Sequence, residues 1–304
     1  MKIGKGFSPC HVTGLFQICD QPADALHVGS RGAGVSLSHG VQTTVTVKKA
    51  MKNSAEIKIN GLKQNSAQVS KHVIDTAISN LQNPDRFNIT VEHHVSVPVG
   101  AGFGTSGAAA LSLALALNEA LDLNMARIEA AQMAHVAEVE CGTGLGTVIA
   151  ETFGGVEIRT KPGAPGIGEI AQLYIPKNTV VACLSFGPLS TKKSLTDPVI
   201  RERVDRFGGS LTDKLIRSPE LSNFLRISRQ FAEHVGLISE RVRRVLETTD
   251  NAGFTCSMPM FGNSLFTLVG DDDIENLERI LLKHGSDGTF FTSEVDFSGA
   301  RVLK

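Results

Sequence analysis

The sequence predicts a two-domain protein that mixes strands with helices, and three observations carry that expectation. Segments of period-two alternation, such as 40–47 and 87–97, sit beside segments of helical period, such as 68–81 and 125–140. The central stretch, 97–117, continues from an alternating segment through a glycine- and hydroxyl-rich loop into an Ala/Leu run of helical composition that nothing breaks before Asp122. A Pro/Gly-rich stretch at 162–168 then separates a segment ending at 161 from one beginning at 169, the expected domain boundary.

In chain order, residues 2–7 lead into Ser8-Pro9-Cys10-His11-Val12-Thr13-Gly14. His11, among small and apolar neighbours, reads either as a satisfied structural histidine or as a substrate-side group. Gly29-Ser30-Arg31-Gly32-Ala33-Gly34 predicts a turn entering a strand. Its glycines shape the turn, and Ser30 and Arg31 either do the same or present a hydroxyl and a cation to a carboxylated substrate. The alternation at 40–47 and the run at 55–59 predict strands, hence a hairpin-rich N-terminal sheet. Val69, Val73, Ala77 and Leu81 share one face of a helix over 68–81, closed by Asn83-Pro84.

The central stretch predicts an anion site. The first N–H groups of a helix have no partner within it and lie at its partly positive end, so a phosphate is held there without a cationic side chain. Gly100, Gly102, Gly104 and Gly107 let the backbone approach closely, and Thr105 and Ser106 offer hydroxyls. Two familiar phosphate motifs do not fit. Gly102-x-Gly104-x-x-Gly107 has the dinucleotide-binding spacing, but one uninterrupted helix carries the chain from 108 to 121, where that fold needs a second strand before its acidic residue. A Walker A loop needs a lysine after its last glycine, and Ala108 stands there.

Asn124 predicts the N-cap of a helix over 125–140, on which Ile128, Ala131, His135 and Glu138 form a stripe. The stripe begins apolar and ends ionisable, as a helix running out of a core into a cleft does, and a carboxylate there wants a counter-ion. A second glycine loop, Cys141-Gly142-Thr143-Gly144-Leu145-Gly146-Thr147, precedes Gly154-Gly155 and a strand carrying Arg159. Further on, 179–186 and 265–269 read as strands, and 198–207, 211–216, 220–235 and 237–247 as helices. Residues 187–193 read as a loop with Lys192 and Lys193 solvated, and Asp271-Asp272-Asp273 as the cap of a helix over 274–283 rather than a metal site.

The chain has 304 residues, 41% of them hydrophobic and 20% charged, with a formal net charge of -1, the profile of an ordinary soluble globular protein. No basic excess points to nucleic acid or an anionic membrane. The longest apolar run, 108–117, is interrupted by Ser112 and too short to span a bilayer, and no signal peptide is read at the N-terminus. Five scattered cysteines without a Cys-x-x-Cys pair predict reduced thiols in a cytoplasmic protein. The expected partner is a small-molecule substrate, with a homodimer left open.

The run Pro98-x-x-x-Gly102-Phe103-Gly104-Thr105-Ser106-Gly107-Ala108 resembles the Pro-x-x-x-Gly-Leu-Gly-Ser-Ser-Ala-Ala signature of the GHMP small-molecule kinases, with Phe103, Thr105 and Gly107 as departures. The likeness extends to 8–18, to 135–159 and weakly to 257–264, where only Gly262 survives as a glycine. The resemblance implies an α+β fold of two domains, ribosomal-S5-like over 1–161 and ferredoxin-like over 169–304, with ATP between them. It implies that Pro98, Gly100, Gly102, Gly104, Thr105, Ser106, Gly107 and Ala108 bind the nucleotide. Ser106 and Glu138 would hold the Mg²⁺ of Mg-ATP, a hard oxygen pair of the kind that ion prefers.

Within the family, the archaeal pantoate kinases are the branch most similar to this chain, on the opening Ser-Pro-Cys-His-Val-Thr-Gly, the Gly-Ser-Arg-Gly-Ala-Gly segment and the second glycine loop with Arg159. That branch implies phosphorylation of the primary hydroxyl of pantoate on the way to coenzyme A; the alternative reading is a kinase of the same family for another acceptor, pantothenate, mevalonate or homoserine. Ser30, His135 and Arg159 would then handle the acceptor, joined by His11 and Arg31. One position departs. The family's Asp, which in several members accepts the acceptor's proton, falls on Thr147, and a threonine is no general base at neutral pH. With Ser106, Glu138 and Thr147 as the expected catalytic set, chemistry rests on positioning and charge stabilisation, or the chain binds nucleotide without catalysis.

Overall fold

The computed structural model describes residues 1–81, 85–189 and 196–304. The Asn83-Pro84 helix stop and the lysine pair at 192–193 lie outside the described residues. Two long strands dominate, β1 (Lys2–Cys19) and β2 (Gly29–Lys49), paired antiparallel from Lys2↔Val47 to Cys19↔Gly29. The segment 29–34, expected as a turn, lies within β2. Its glycines answer to close packing instead: a side chain at Gly34 would meet the His11 ring at 2.3 Å.

The other strands of the larger sheet are β3 (Ser54–Ile59), β4 (Leu62–Lys63), β5 (Phe87–Val95), β6 (Val156–Lys161), β7 (Glu169–Gln172) and, at the end of the chain, β11 (Arg301–Val302). The order is β11-β1-β2-β5-β3-β4, with β6 on the first part of β2 and β7 beside β6. β3 and β5 run parallel, with α1 (Gln68–Ser79) in their connection. Since β7 and β11 both join this sheet, it does not stop at residue 161.

Helix α2 (Thr105–Leu121) is buried along nearly its whole length and lies directly on β1. Side chains at Gly4 and Gly6 would meet the carbonyl oxygens of Ala116 and Ser112 at 2.0 and 2.2 Å, so strand and helix touch backbone to backbone. Helix α3 (Arg127–Cys141) begins later than expected. Asn124 is left-handed at φ 55° and its amide donates to the Asp122 carbonyl, while Glu129 accepts the N–H of Ala126 at the helix start. The second glycine loop ends in a short helix, α4 (Thr147–Phe153), which the sequence pattern did not reveal.

The smaller sheet has β8 (Thr179–Pro188) in the middle, between β9 (Gly262–Gly270) and β10 (Thr289–Glu294), all antiparallel. Helices α5 (Pro198–Arg217) and α6 (Leu221–Val235) lie against β1 of the larger sheet, and α7 (Glu240–Asn251) and α8 (Ile274–Gly285) pack on the smaller one. The two helices expected at 198–207 and 211–216 are one. Gly208 does not break it because it faces β1, where a side chain would strike the Phe16 carbonyl at 2.0 Å. The two sheets share a core: Phe16 of β1 packs edge-on against Phe231 of α6 at 5.9 Å and Phe261 at 5.7 Å. Among the described residues no helix is long and apolar enough to cross a membrane.

Candidate active site

The glycine loop leads into α2 through Gly104, left-handed at φ 64°. A side chain there would meet Thr147 Cγ2 and Glu151 Oε1 at 2.8 Å each and the His11 carbonyl at 3.1 Å, so only glycine serves both the conformation and the space. The N–H groups of Thr105, Ser106 and Gly107 have no partner within the helix, whereas that of Ala108 already returns to Gly104 at 3.1 Å. These residues, with Gly100 and Gly102, line a cavity of about 820 Å³ including its mouth. Pro98 and Ala108 do not line it, and Ala108 belongs to the core. Met260 and Phe261 close one side; a side chain at Gly102 would meet the Gly262 Cα at 2.9 Å, which accounts for the glycine kept at 262.

Where α3 ends, Ser106 Oγ and Thr143 Oγ1 both donate to Glu138 Oε1, at 2.5 and 2.7 Å. Burial pushes the Glu138 carboxyl above its ordinary pKa, and these two hydrogen bonds pull it back. The donors are hard oxygens, and among the described residues no trio of His, Cys, Asp or Glu forms a closed cage. Such a site suits Mg²⁺, which takes one or two protein oxygens and leaves its other positions to phosphate and water. His135, one turn earlier, faces away: its Nε2 donates to the Val28 and Ala25 carbonyls at 3.0 and 3.2 Å, tying α3 to the segment before β2. Burial lowers its pKa, and it does not line the cavity.

The other wall comes from three strands. The register of β1 slips between Thr13 and Leu15, so Phe16 joins His11 and Thr13 on the cavity side although strict alternation would place it opposite. On β2, Ser30 lines the cavity while Arg31, its neighbour, points to the other face. There it pairs with Asp213 of α5 and donates to Gln17 and the Thr160 carbonyl, so the two residues expected to act together are separated by strand geometry.

On β6, Arg159 is 1% exposed, and its Nη1 donates to Glu157 Oε1 at 2.5 Å. Its Nε has no partner among the described residues. Burial lowers the pKa of this guanidinium and Glu157 opposes that shift. The Glu157 carboxylate also meets His11 Nε2, at 2.9 and 3.1 Å, and His11 Nδ1 lies 3.1 Å from the Thr13 hydroxyl. A side chain at Gly146 would meet Ser30 Oγ at 2.0 Å and Arg159 Nε at 3.2 Å, so the second glycine loop lies directly on these two groups.

Thr147 opens α4 and lines the cavity. One turn on, Glu151 is fully buried, with both carboxyl oxygens unpartnered among the described residues and placed against Gly104 and Gly107. Burial first, then the charges of Glu138 and Glu157, raise its pKa well above the carboxylate range. Sequence reasoning missed both Glu151 and Glu157. The signals were present: Glu157 and Arg159 are two apart on a strand and so share a face, and Glu151 is four residues from Thr147 on a helix that had not been anticipated.

The sequence and fold are similar to those of known proteins. Residues 65–155 match the GHMP kinases N terminal domain. The pantoate kinase of Methanocaldococcus jannaschii is 33% identical over 281 residues, covering 90% of this chain and 96% of that protein. The chain belongs to the GHMP kinase family. A second family member, the pantoate kinase of Thermococcus kodakarensis, is 32% identical over 91% of both chains. A solved structure described as a phosphotransferase related to the CoA biosynthesis pathway superposes with a TM-score of 0.89 at 28% identity, over 99% of this chain and 98% of that one. Homoserine kinase from Cytophaga hutchinsonii shares the fold, with a TM-score of 0.69 at 18% identity, over 100% of this chain and 98% of its own.

Proposed function

We propose that this member of the GHMP kinase family transfers the γ-phosphoryl group of ATP to the primary hydroxyl of pantoate, an early step toward coenzyme A. Arg159 carries the reading: a buried guanidinium with its Nε open beside Ser30, in the same cavity as a helix N-terminus with free N–H groups. Pantoate presents a carboxylate near its hydroxyls, which calls for such a donor. Pantothenate has an amide at that place and carries its carboxylate several bonds further out. The names of the relatives in Methanocaldococcus jannaschii and Thermococcus kodakarensis support the same acceptor.

In this mechanism the N–H groups of 105–107 hold the phosphates, and Ser106 and Glu138 would hold Mg²⁺, which would supply positive charge to the phosphoryl oxygens. Arg159 Nε and the Ser30 hydroxyl hold the acceptor's carboxylate. The hydroxyl oxygen bonds to the γ-phosphorus as the bond from that phosphorus to the bridging oxygen of ADP breaks, and the hydroxyl proton passes late to an oxygen of the transferred phosphoryl group rather than to a carboxylate at position 147, as a loose transition state permits. The cleft lies between the loops and strands before residue 161 and the segment that carries Met260 and Phe261. A cytoplasmic setting fits five cysteines, none of them in a disulfide.

The test is ADP release with pantoate, pantothenate, mevalonate and homoserine added in turn. Pantoate should give the fastest release. Release with pantothenate but not pantoate overturns the acceptor and leaves the kinase; release with none of the four favours the non-catalytic reading that Thr147 raises.

A further inference from the structure

We propose that the acceptor's carboxylate enters the cleft together with one proton, taken up by His11, while Glu157 shifts its pairing from Arg159 to the imidazole. The inference deepens the pantoate reading and rests on it. Its ground is the charge balance of a sealed cluster. Arg159, Glu157 and His11 are exposed by 1%, 0% and 1%. The guanidinium is already matched by Glu157, whose carboxylate is shared between Arg159 Nη1 and His11 Nε2. A second carboxylate arriving at the open Nε puts two anions on one cation where water does not reach, and an uncompensated charge in such a place is strongly disfavoured.

Histidine is the side-chain type that ordinarily changes charge between pH 5 and 8, and the His11 imidazole touches this pair. The wiring around it allows the change. Glu157 faces Nε2 and accepts from it in either state. The Thr13 hydroxyl faces Nδ1 and both donates and accepts. With a neutral ring the hydroxyl donates to Nδ1; with a charged ring Nδ1–H donates to the hydroxyl oxygen, and no atom is left without a partner. From β2 the ring meets Gly34, which carries no side chain. Next to it on β1, the Cys10 thiol is held protonated by burial. The remaining titratable groups near the site are Glu138 of α3 and Glu151 of α4, whose carboxyls burial biases toward the neutral form. These two are the rival landing places for the proton.

The experiment is calorimetric titration of pantoate into the intact chain, with a non-hydrolysable ATP analogue present, in two buffers of different ionisation enthalpy. The difference in heat should report uptake of about one proton per pantoate, and affinity should weaken about tenfold per pH unit on the alkaline limb. His11→Gln should bring the uptake close to zero and flatten that limb. If that variant does not fold, Glu157→Gln serves, since removing the resident anion removes the need for the proton. Pantoate binding without proton uptake in the wild type overturns this inference alone. Uptake that persists in His11→Gln also overturns it, the proton then residing on Glu138 or Glu151. No pantoate binding at all overturns the acceptor reading and this inference with it.

Discussion

The two walls of the cleft are made in opposite ways. The wall we assign to the nucleotide is one contiguous segment, the glycine loop and first turn of α2, and offers backbone N–H groups. The wall we assign to the acceptor gathers His11 and Thr13 from β1, Ser30 from β2 and Arg159 from β6, with Glu157 behind them, and offers side chains. A backbone wall tolerates changed side chains as long as the chain path survives, so Phe103, Thr105 and Gly107 can depart from the family's signature without spoiling it. A side-chain wall has less freedom, because His11, Thr13 and Arg159 are tied to one another through Glu157 and the imidazole.

The contrast breaks most sharply at Gly104. Valine there suffers the left-handed backbone, about 1–3 kcal/mol, and contact with Glu151 and Thr147, of similar size. Affinity for an ATP analogue should fall roughly a hundredfold or more; equilibrium dialysis that finds it unchanged removes the phosphate-loop assignment. On the other wall, Arg159→Lys keeps the charge and loses the planar fork. The Michaelis constant for pantoate should rise about tenfold to a hundredfold, the worth of a charged hydrogen bond, while that for ATP stays put, and steady-state kinetics on both substrates separates the two.

At the proposed Mg²⁺ site, Ser106→Ala and Glu138→Gln should each lower turnover by about tenfold to a hundredfold and raise the Mg²⁺ concentration needed. Near-normal rates for both, in protein folded by circular dichroism, would dismiss the metal role. Thr147→Asp, between the walls, should raise the rate about tenfold, some 1.4 kcal/mol of barrier. A fall would show that the pocket has been rebuilt around the threonine and the buried Glu151.

The smallest effect on catalysis lies away from both walls. His93 of β5 is buried between the Thr43 hydroxyl at 2.7 Å and the Ser70 hydroxyl at 3.1 Å, and Thr43 continues to Ser112 of α2 at 2.6 Å. Burial lowers its pKa from 6.5 to about 4. Below pH 6.5 the unfolded chain therefore takes up a proton that the folded one refuses, so stability is full above 6.5 and is lost as pH falls to about 4. The loss amounts to about 3 kcal/mol. Melting temperatures across that window should fall, and His93→Gln should flatten the dependence.

How much could be read from the sequence follows the same division. The glycine loop, the helix after it and the placing of Glu138 on the next helix were legible because their signals are local, turn residues and helical period, whereas the cap expected at Asn124 and a cavity-side His135 were not found. Segment 29–34 was misjudged because a glycine chosen to make room for the His11 ring looks like a glycine chosen for a turn. The helix at 198–217 was split in two for the same reason, Gly208 being spent on contact with Phe16 rather than on a break.

By itself the sequence determined the loop and helix N-terminus that we propose hold phosphate, since a strand, a glycine loop and a helix start are encoded locally. Only the tertiary structure decided which side chains form the opposite wall. Whether Ser30 or Arg31 faces the cleft depends on the register of β2, and whether Phe16 joins His11 depends on a slip in β1. That Glu157 binds both Arg159 and His11 depends on strands nearly 150 residues apart in sequence meeting in one sheet. Long-range pairing sets which polar groups are buried together, and burial is what turns ordinary side chains into a site with matched charges.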